Sequence, residues 1–194
     1  MPYPDAQRWD ARYQTERDTW LQRGPRALLE QYSERLPRTG LALDAAAGVS
    51  VSGLLLSRRG LHVISLDISE FALRLACQHA RTEGLPLEAV VYDLSRPWFP
   101  EQFFDVILNF RFLERATFSA YRGALKLGGW LFFETYLNLS GEPSPREYYL
   151  EPGELLAAFQ DFEIIHWEER RLPESQHHPA RGLASLVARR QMVR

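Results

Sequence analysis

The sequence predicts a doubly wound α/β domain whose central sheet is mostly parallel. Short apolar runs that do not alternate with polar residues recur along the chain, and helical segments separate them. This is the pattern of parallel strands that are buried on both faces of a sheet. Three of the runs end at an aspartate. The length of 194 residues, 45% of them hydrophobic, suits one domain with a core of ordinary size.

The first part of the chain is predicted to be a helical cap. Residues 5–36 are polar, rich in arginine and interrupted by aromatic residues. Gly24 and Pro25 separate two helical stretches, and Pro25 suits a first helical position. We therefore expect a single domain in which residues 1–38 form an N-terminal cap on a core made by residues 39–194.

Strands and helices are predicted to alternate along this core. The first five strands are residues 41–43, 62–66, 87–92, 105–110 and 130–135. The helices between and after them are residues 51–59, 69–81, 115–125 and 152–159. Two last strands, 162–169 and 183–189, follow each other without a helix. They are expected to pair antiparallel at the edge of a seven-stranded sheet.

Charge and cysteine content exclude several classes of protein. The 23 basic and 25 acidic residues give a net charge of −2, so no overall basic field favours nucleic acid. The single cysteine, Cys77, rules out an internal disulfide and a Cys-rich zinc site. His177 and His178 lack a third metal ligand. No apolar window approaches the ~18 residues of a membrane span, so we expect a cytoplasmic protein that binds neither membranes, nucleic acid nor metal.

The turn after the first strand can be aligned with three motifs. Its sequence is DAAAGVSVSG, residues 44–53. A dinucleotide-binding G-x-G-x-x-G would begin at Gly48, but Ser50 replaces its middle glycine. A nucleophile elbow around Ser50 would lack its last glycine. The third motif is D-x-G-x-G-x-G, whose four fixed positions are Asp44, Ala46, Gly48 and Ser50.

Aspartates at three strand ends favour the third motif. Asp44, Asp67 and Asp93 each follow an apolar run, and ligands of open α/β sheets bind beyond the carboxyl ends of the strands. Any one of them is equally typical of a capping residue, but three at successive strand ends indicate a site. Carboxylates repel the pyrophosphate of NAD and attract an ammonium or a sulfonium. The crevice therefore suits S-adenosylmethionine better than NAD.

The chain resembles the class I methyltransferases, most closely the small-molecule group that includes the tellurite-resistance type. The resemblance covers most of residues 40–190. The matching stretches are ALDAAAG (42–48), VISLDIS (63–69), YDLSRPWFPEQFFDVIL (92–108), LKLGGWLFFETY (125–136) and EPGELLAAF (151–159). The cap segment WDARY (9–13) also looks like the opening of that group. The resemblance implies S-adenosylmethionine as cofactor, a small-molecule methyl acceptor, and closure of the cap and loop 138–150 over it.

The resemblance also implies roles for residues at the strand ends. Asp67 would hold the ribose hydroxyls of the cofactor, and Asp44 would line its methionine portion. Arg111 is the residue that we expect to orient an anionic acceptor. The residues expected at the cofactor are Asp44, Ala46, Gly48, Asp67, Ile68, Asp93, Leu94, Asn109 and Phe110, with Arg12 of the cap as a candidate partner for the cofactor carboxylate.

Two residues of the turn keep other functions open. Val49 stands where relatives often have an acidic residue, and Ser50 where they usually have glycine. Serine is strained there if the backbone takes a positive φ, and favourable if it is an ordinary helix N-cap. The alternatives are a non-catalytic nucleoside-binding module on the same fold and, less favoured by the charges, an NAD-binding protein.

Overall fold

The central element is a seven-stranded sheet with the strand order β3-β2-β1-β4-β5-β7-β6. The computed structural model describes residues 4–139, 148–173 and 182–191. The strands are β1 Leu41–Ala45, β2 His62–Asp67, β3 Leu87–Val91, β4 Phe104–Phe110, β5 Leu125–Leu137, β6 Glu163–Arg171 and β7 Gly182–Arg189. Strands β1 to β5 are parallel, and β7 pairs antiparallel with β5 and β6. The predicted fold class is confirmed, including its antiparallel edge.

Helices cover both faces of this sheet. They are α1 Pro4–Thr15, α2 Arg17–Leu21, α3 Ala27–Tyr32, α4 Val51–Arg58, α5 Glu70–Glu83, α6 Ala116–Ala124 and α7 Glu154–Ala158. The first helix predicted for the cap is divided by a turn at Glu16 into α1 and α2, and α3 follows Pro25. None of the helices in the described ranges combines the length and apolarity that a bilayer crossing requires.

Two apolar clusters enclose the sheet. On one face, Leu29 of the cap and Leu56 of α4 pack against Leu108 and Phe132. The other face contains residues of α6 and α7 against β5, namely Tyr121, Leu155, Phe159 and Phe133. Because both faces are covered, most neighbouring positions in a central strand are apolar, which explains the apolar runs that predicted the strands.

The strand register brings the carboxyl ends of the central strands together. Ala45 pairs with Leu66 of β2 on one side and with Asn109 of β4 on the other. The winding of the sheet changes direction between β1 and β4. In open α/β sheets the ligand crevice lies outside the strand ends at such a switch point, so the residues after β1, β2 and β4 border the candidate site.

Candidate active site

The turn after β1 has an unusual backbone. Ala46, Gly48 and Ser50 all have positive φ, at 51°, 55° and 52°. An L-residue in the left-handed region costs roughly 1–2 kcal/mol, so two of these positions are strained. Strained backbone concentrates at functional sites because the surrounding contacts hold it in place. Ser50 occupies the N-cap position of α4, but its side chain does not cap the helix.

The Ser50 hydroxyl instead binds Asp44 beneath the turn. Its Oγ donates to Asp44 Oδ2 at 2.7 Å and lies 2.7 Å from the Ser65 hydroxyl, which therefore donates to it. The Gly53 amide reaches the same Asp44 oxygen at 3.1 Å. Burial raises the pKa of Asp44 to about 6, because Asp44 is only 3% exposed. Among the described residues, no hydrogen bond reaches Asp44 Oδ1, so this oxygen can accept one from a ligand.

Asp67 at the end of β2 is held by two backbone amides. Gly48 N donates to Oδ2 at 2.7 Å and Ser69 N to Oδ1 at 2.8 Å. The side chain is 7% exposed, and burial raises its pKa. A carboxylate has about four acceptor positions, so each oxygen can take a further bond from a hydroxyl. The capping and ligand-binding interpretations of this aspartate are compatible.

Asp93 and its neighbours complete the acidic side of the crevice. Asp93 is half-buried and its Oδ1 accepts from Ser95 N at 2.9 Å. Leu94 is buried in the core, and Ile68 beyond β2 is half-buried. The structure thus brings the three predicted aspartates to the ends of three adjacent strands, β1, β2 and β3, as the sequence indicated.

The N-terminal helix lies over the turn. The Asp10 carboxylate accepts from Ser69 Oγ at 2.6 Å and from Phe71 N at 3.1 Å, which ties α1 to the start of α5. Tyr13 is buried, and a Cβ at Gly48 would collide with its hydroxyl. Position 48 therefore requires a glycine, because the Tyr13 hydroxyl of the cap approaches its backbone closely. Asp10 belongs to the segment WDARY (9–13) that carries part of the resemblance, but the sequence did not indicate its contact with Ser69.

Arg12 is engaged within the cap. Its Nε lies 3.2 Å from Glu16 Oε1, and its guanidinium lies over the rings of Trp9 and Trp20 at 5.3 and 5.5 Å. Half of the side chain is exposed. The contact of Arg12 with a cofactor carboxylate stays a prediction.

Asn109 and Phe110 at the end of β4 are turned into the core. Asn109 is fully buried; its Oδ1 accepts from the Tyr121 hydroxyl at 3.0 Å and its Nδ2 donates to Phe112 O at 2.9 Å. Phe110 belongs to the apolar cluster on the α4 face. Both side chains fix the shape of the strand end, and their contact with a ligand stays a prediction.

Arg111 is the next residue and has a positive φ of 63°. Its amide donates to Glu134 O at 2.7 Å, and its guanidinium lies 5.1 Å from the ring centre of Tyr136. Its Nε is 3.2 Å from Glu134 Oε1 but lacks hydrogen-bond geometry. The residues that contact Arg111 on β5 are Glu134 and Tyr136, which flank Thr135. The sequence analysis did not single them out, because their run looks like an ordinary buried strand.

Some predicted features lie outside the described residues. They are His177, His178, the connection 174–181 and the central part, 140–147, of the loop expected to close over the acceptor. Within the described ranges, no group of three or more His, Cys, Asp or Glu side chains is arranged to hold a metal ion.

Solved structures that share this fold include a SAM-dependent methyltransferase. TehB from Haemophilus influenzae has a TM-score of 0.72 at 20% identity, over 84% of this chain and 61% of TehB. A SAM-dependent methyltransferase from Methanosarcina mazei has a TM-score of 0.67 at 20% identity, over 88% of this chain and all (100%) of that one. The [4+2]-cyclase SpnF scores 0.68 at 18% identity, over 86% of this chain and 80% of SpnF.

These likenesses establish the fold, and the sequence match adds the domain type. Residues 42–129 match the family model of a methyltransferase domain. Residues 42–129 are therefore similar to a methyltransferase domain, and the resemblance inferred from the sequence is confirmed. The chain spans 61% of the length of TehB. No curated protein matches it in sequence.

A methyltransferase domain implies S-adenosylmethionine as cofactor, and the residues present fit this group. Asp44 Oδ1 is open to a donor, and both oxygens of Asp67 can accept from a ribose diol. Burial raises the pKa of both carboxyls, and a cationic partner would favour their ionised form. The cap contact at Gly48 requires Tyr13 to shift if a ligand approaches that glycine closely.

Proposed function

We propose that this protein is an S-adenosylmethionine-dependent methyltransferase that acts on a small-molecule acceptor in the cytoplasm. The observation that carries the proposal is the set of aspartates at the ends of β1, β2 and β3, two of them buried and held by the backbone of a strained turn. A fold alone does not define an activity, and the cyclase SpnF shares this one. The proposal therefore depends on the site.

The acidic residues would hold the cofactor. Asp67 would accept hydrogen bonds from the ribose hydroxyls, and Asp44 Oδ1 would accept one from the ammonium group. Asp93 with Leu94 would meet the adenine ring, and Ile68 would pack on it. Ala46 and Gly48 permit the methionine portion to approach the turn. When bound, S-adenosylmethionine would supply a methyl group carried on a sulfonium.

The remaining residues would align the acceptor and exclude water. Asn109 and Phe110 fix the floor beside β4, and Arg111 orients an anionic group of the acceptor. The aromatic residues of α1 close over the turn, and Arg12 on the same helix is the candidate partner for the cofactor carboxylate. Alignment and exclusion of water account for much of the rate in a displacement of this kind, so a dedicated base is not required for a soft or amine nucleophile.

Isothermal titration calorimetry with S-adenosylhomocysteine tests the proposal. We expect one molecule to bind per chain. If millimolar S-adenosylhomocysteine produces no heat of binding, both the methyltransferase proposal and the nucleoside-binding alternative are overturned.

NADH fluorescence tests the NAD-binding alternative. We expect the fluorescence to be unchanged when the protein is added, because Asp44 opposes a pyrophosphate at the turn. A clear change would favour this alternative.

The second candidate function is a non-catalytic nucleoside-binding module. It is favoured by the strained Ser50 and by Tyr13 lying against Gly48. It predicts that S-adenosylhomocysteine binds to the protein. It also predicts that no labelled methyl group is transferred from radiolabelled S-adenosylmethionine to any thiol, amine or chalcogen oxyanion offered as acceptor. Labelled product from any of these acceptors would exclude it.

A further inference from the structure

The two edges of the sheet are built differently. The edge strand β6 has a bulge between Ile164 and His166 and ends in four charged residues, 168–171. Bulges and charges are the usual means by which an edge strand avoids pairing with another chain. The edge strand β3 has no bulge in its pairing with β2, and Glu88 is the only charged residue among its five. The β3 edge is therefore open to an added strand.

Apolar side chains are exposed along this open edge. Val90 is 46% and Val91 is 55% exposed, although consecutive residues of a strand point to opposite faces. Trp98 in the following loop is 74% exposed. The Tyr92 hydroxyl holds this loop, because it accepts from Trp98 N at 2.9 Å and can donate to Arg96 O at 3.3 Å. Exposed apolar groups that the fold holds in place mark an interaction surface.

The backbone of β3 presents every second residue outward. Tyr92 N, just beyond the strand, donates to Asp67 O of β2 at 2.9 Å. The amide and carbonyl groups of successive strand residues alternate between the two sides, so Leu87, Ala89 and Val91 face away from β2. No strand in the described ranges pairs with these three residues.

A groove of about 480 Å³ runs beside this edge, between β3 and α5. Leu73 and Cys77 of α5 contribute to its wall. Glu70 borders the groove at the start of α5, where it pairs with Arg74 at 2.7 Å. Arg81 borders it near the end of α5, is exposed, and forms no ion pair with any described residue. The groove thus has an acidic residue at one end and an unpaired cation at the other.

From this geometry we infer that two copies of the chain pair antiparallel through β3, about a twofold axis at Ala89. This register pairs all five residues of the strand. Leu87 then faces Val91 of the other copy, and Glu88 faces Val90. A register centred on Glu88 would set two carboxylates opposite each other, which is destabilising. A contact of this symmetric kind closes as a dimer, and it does not depend on the proposed function.

The same axis makes the charges of the two α5 helices complementary. Helix α5 runs opposite to β3, because it connects the parallel strands β2 and β3. The axis brings the second α5 alongside the first, antiparallel to it and at about the 8–10 Å of packed helices, since neighbouring strands lie about 4.8 Å apart. Glu70 of each copy then lies toward Arg81 of the other. The occupant that fits both the strand and the groove is therefore a second copy of this chain.

Sedimentation velocity of two variants at the same exposed position tests the inference. We expect purified wild type to be dimeric at micromolar concentration. Val90→Lys sets a cation opposite Glu88 twice in the dimer, whereas Val90→Glu sets an anion there. The dissociation constant of the Glu variant should exceed that of the Lys variant by at least about tenfold. Leu127→Glu is the control, because Leu127 is 39% exposed on β5, and it should leave the dimer intact.

Hydrogen exchange followed residue by residue with NMR shows whether the contact is a strand pairing. The amides of Ala89 and Val91 face outward, so they should exchange slowly in wild type and rapidly in Val90→Glu. The amides of Glu88 and of residue 90 face β2, and they should be protected in both proteins. Protection of this second pair also shows that the variant keeps its sheet.

Three results would overturn the inference. The first is a wild type that is monomeric, which is also the result expected if a different protein supplies the added strand. The second is equal association of the Lys and Glu variants, since another surface or register would then join the copies. The third is rapid exchange of the Ala89 and Val91 amides in the dimer. None of these results bears on cofactor binding, so the proposed function would stand.

Discussion

The two halves of the carboxyl edge differ in charge and in how their polar groups are satisfied. On the β1–β3 side, Asp44 and Asp67 accept hydrogen bonds from the protein's own backbone. On the β4–β5 side, the buried Nε of Arg111 donates to no acceptor among the described residues. The acidic half is thus built in advance for a ligand with hydroxyl and cationic groups, and the basic half is suited to an anion.

The largest effect that we expect is on the rigidity of the acidic half. A Cβ at Gly53 would collide with Ser50 Oγ and lie 2.8 Å from Asp44 Oδ2, both buried. Gly53→Ala should therefore lower the free energy of unfolding by about 3 kcal/mol, through overpacking and a disturbed buried hydrogen bond. Urea unfolding measures it.

Gly123→Ala is the matched control for this substitution. Gly123 lies in α6, and a Cβ there meets nothing within 4 Å. Alanine in an open helical position should stabilise the protein by up to about 1 kcal/mol. Equal stability of Gly53→Ala and wild type would show that the Asp44–Ser50 network has space for a Cβ at position 53.

The second effect concerns binding in the acidic half. Asp67→Ala should weaken S-adenosylhomocysteine by about 1–3 kcal/mol, because charge-assisted hydrogen bonds to the ribose are lost. Glu88→Ala removes an exposed carboxylate from β3 and should leave the affinity unchanged. Calorimetry measures both variants. Unchanged affinity in Asp67→Ala would mean that the ribose lies elsewhere.

The third effect is a pH dependence that belongs to the acidic half alone. The pKa of Asp44 is raised from 3.8 to about 6, so folding favours its protonated form. Its contribution to stability is fully present below pH 4 and is lost as the pH rises through 6, in total about 3 kcal/mol. Asp44→Asn cannot ionise and keeps an acceptor oxygen for Ser50 and Gly53.

We therefore expect Asp44→Asn to lack this loss and to be more stable than wild type at pH 7.5 by about 1–3 kcal/mol. Its affinity for S-adenosylhomocysteine should fall, because the charge facing the ammonium is gone. Urea unfolding between pH 4 and 8 measures the first effect. Parallel stability curves for the two proteins would refute the burial of an ionisable Asp44.

The smallest effect isolates the strain in the turn. Ser50→Ala and Ser50→Gly both lose the hydroxyl that binds Asp44, but only glycine relieves the positive φ of 52°. Ser50→Gly should be more stable than Ser50→Ala by about 1 kcal/mol. Equal stabilities in thermal unfolding would mean that residue 50 is not held in the left-handed region.

The sequence predicted the acidic half better than the basic half, for a physical reason. Each aspartate lies within two residues of the end of its strand, so local pattern and the known geometry of parallel sheets suffice to bring Asp44, Asp67 and Asp93 to one edge. The basic half depends on the ion pair between Arg111 after β4 and Glu134 in β5. No local pattern specifies such a contact, because it is set by how the two strands pair in the finished sheet.

The conformation of Ser50 also required the structure. The sequence left two interpretations open, a helix N-cap and a strained residue with positive φ. Its position before α4 is that of a cap, but the buried Asp44 and Ser65 engage its hydroxyl. The conformation of Ser50 is therefore set by buried groups on β1 and β2 rather than by the helix that follows it.

A crystal structure of the protein with S-adenosylhomocysteine tests the central claim most directly. We expect the ribose hydroxyls within hydrogen-bond distance of Asp67, the adenine between Ile68 and Leu94, and the Tyr13 ring displaced from Gly48 by the amino-acid tail. A nucleoside bound away from the turn, or a turn that Tyr13 still covers with Asp44 and Asp67 contacting only the protein, would contradict the account.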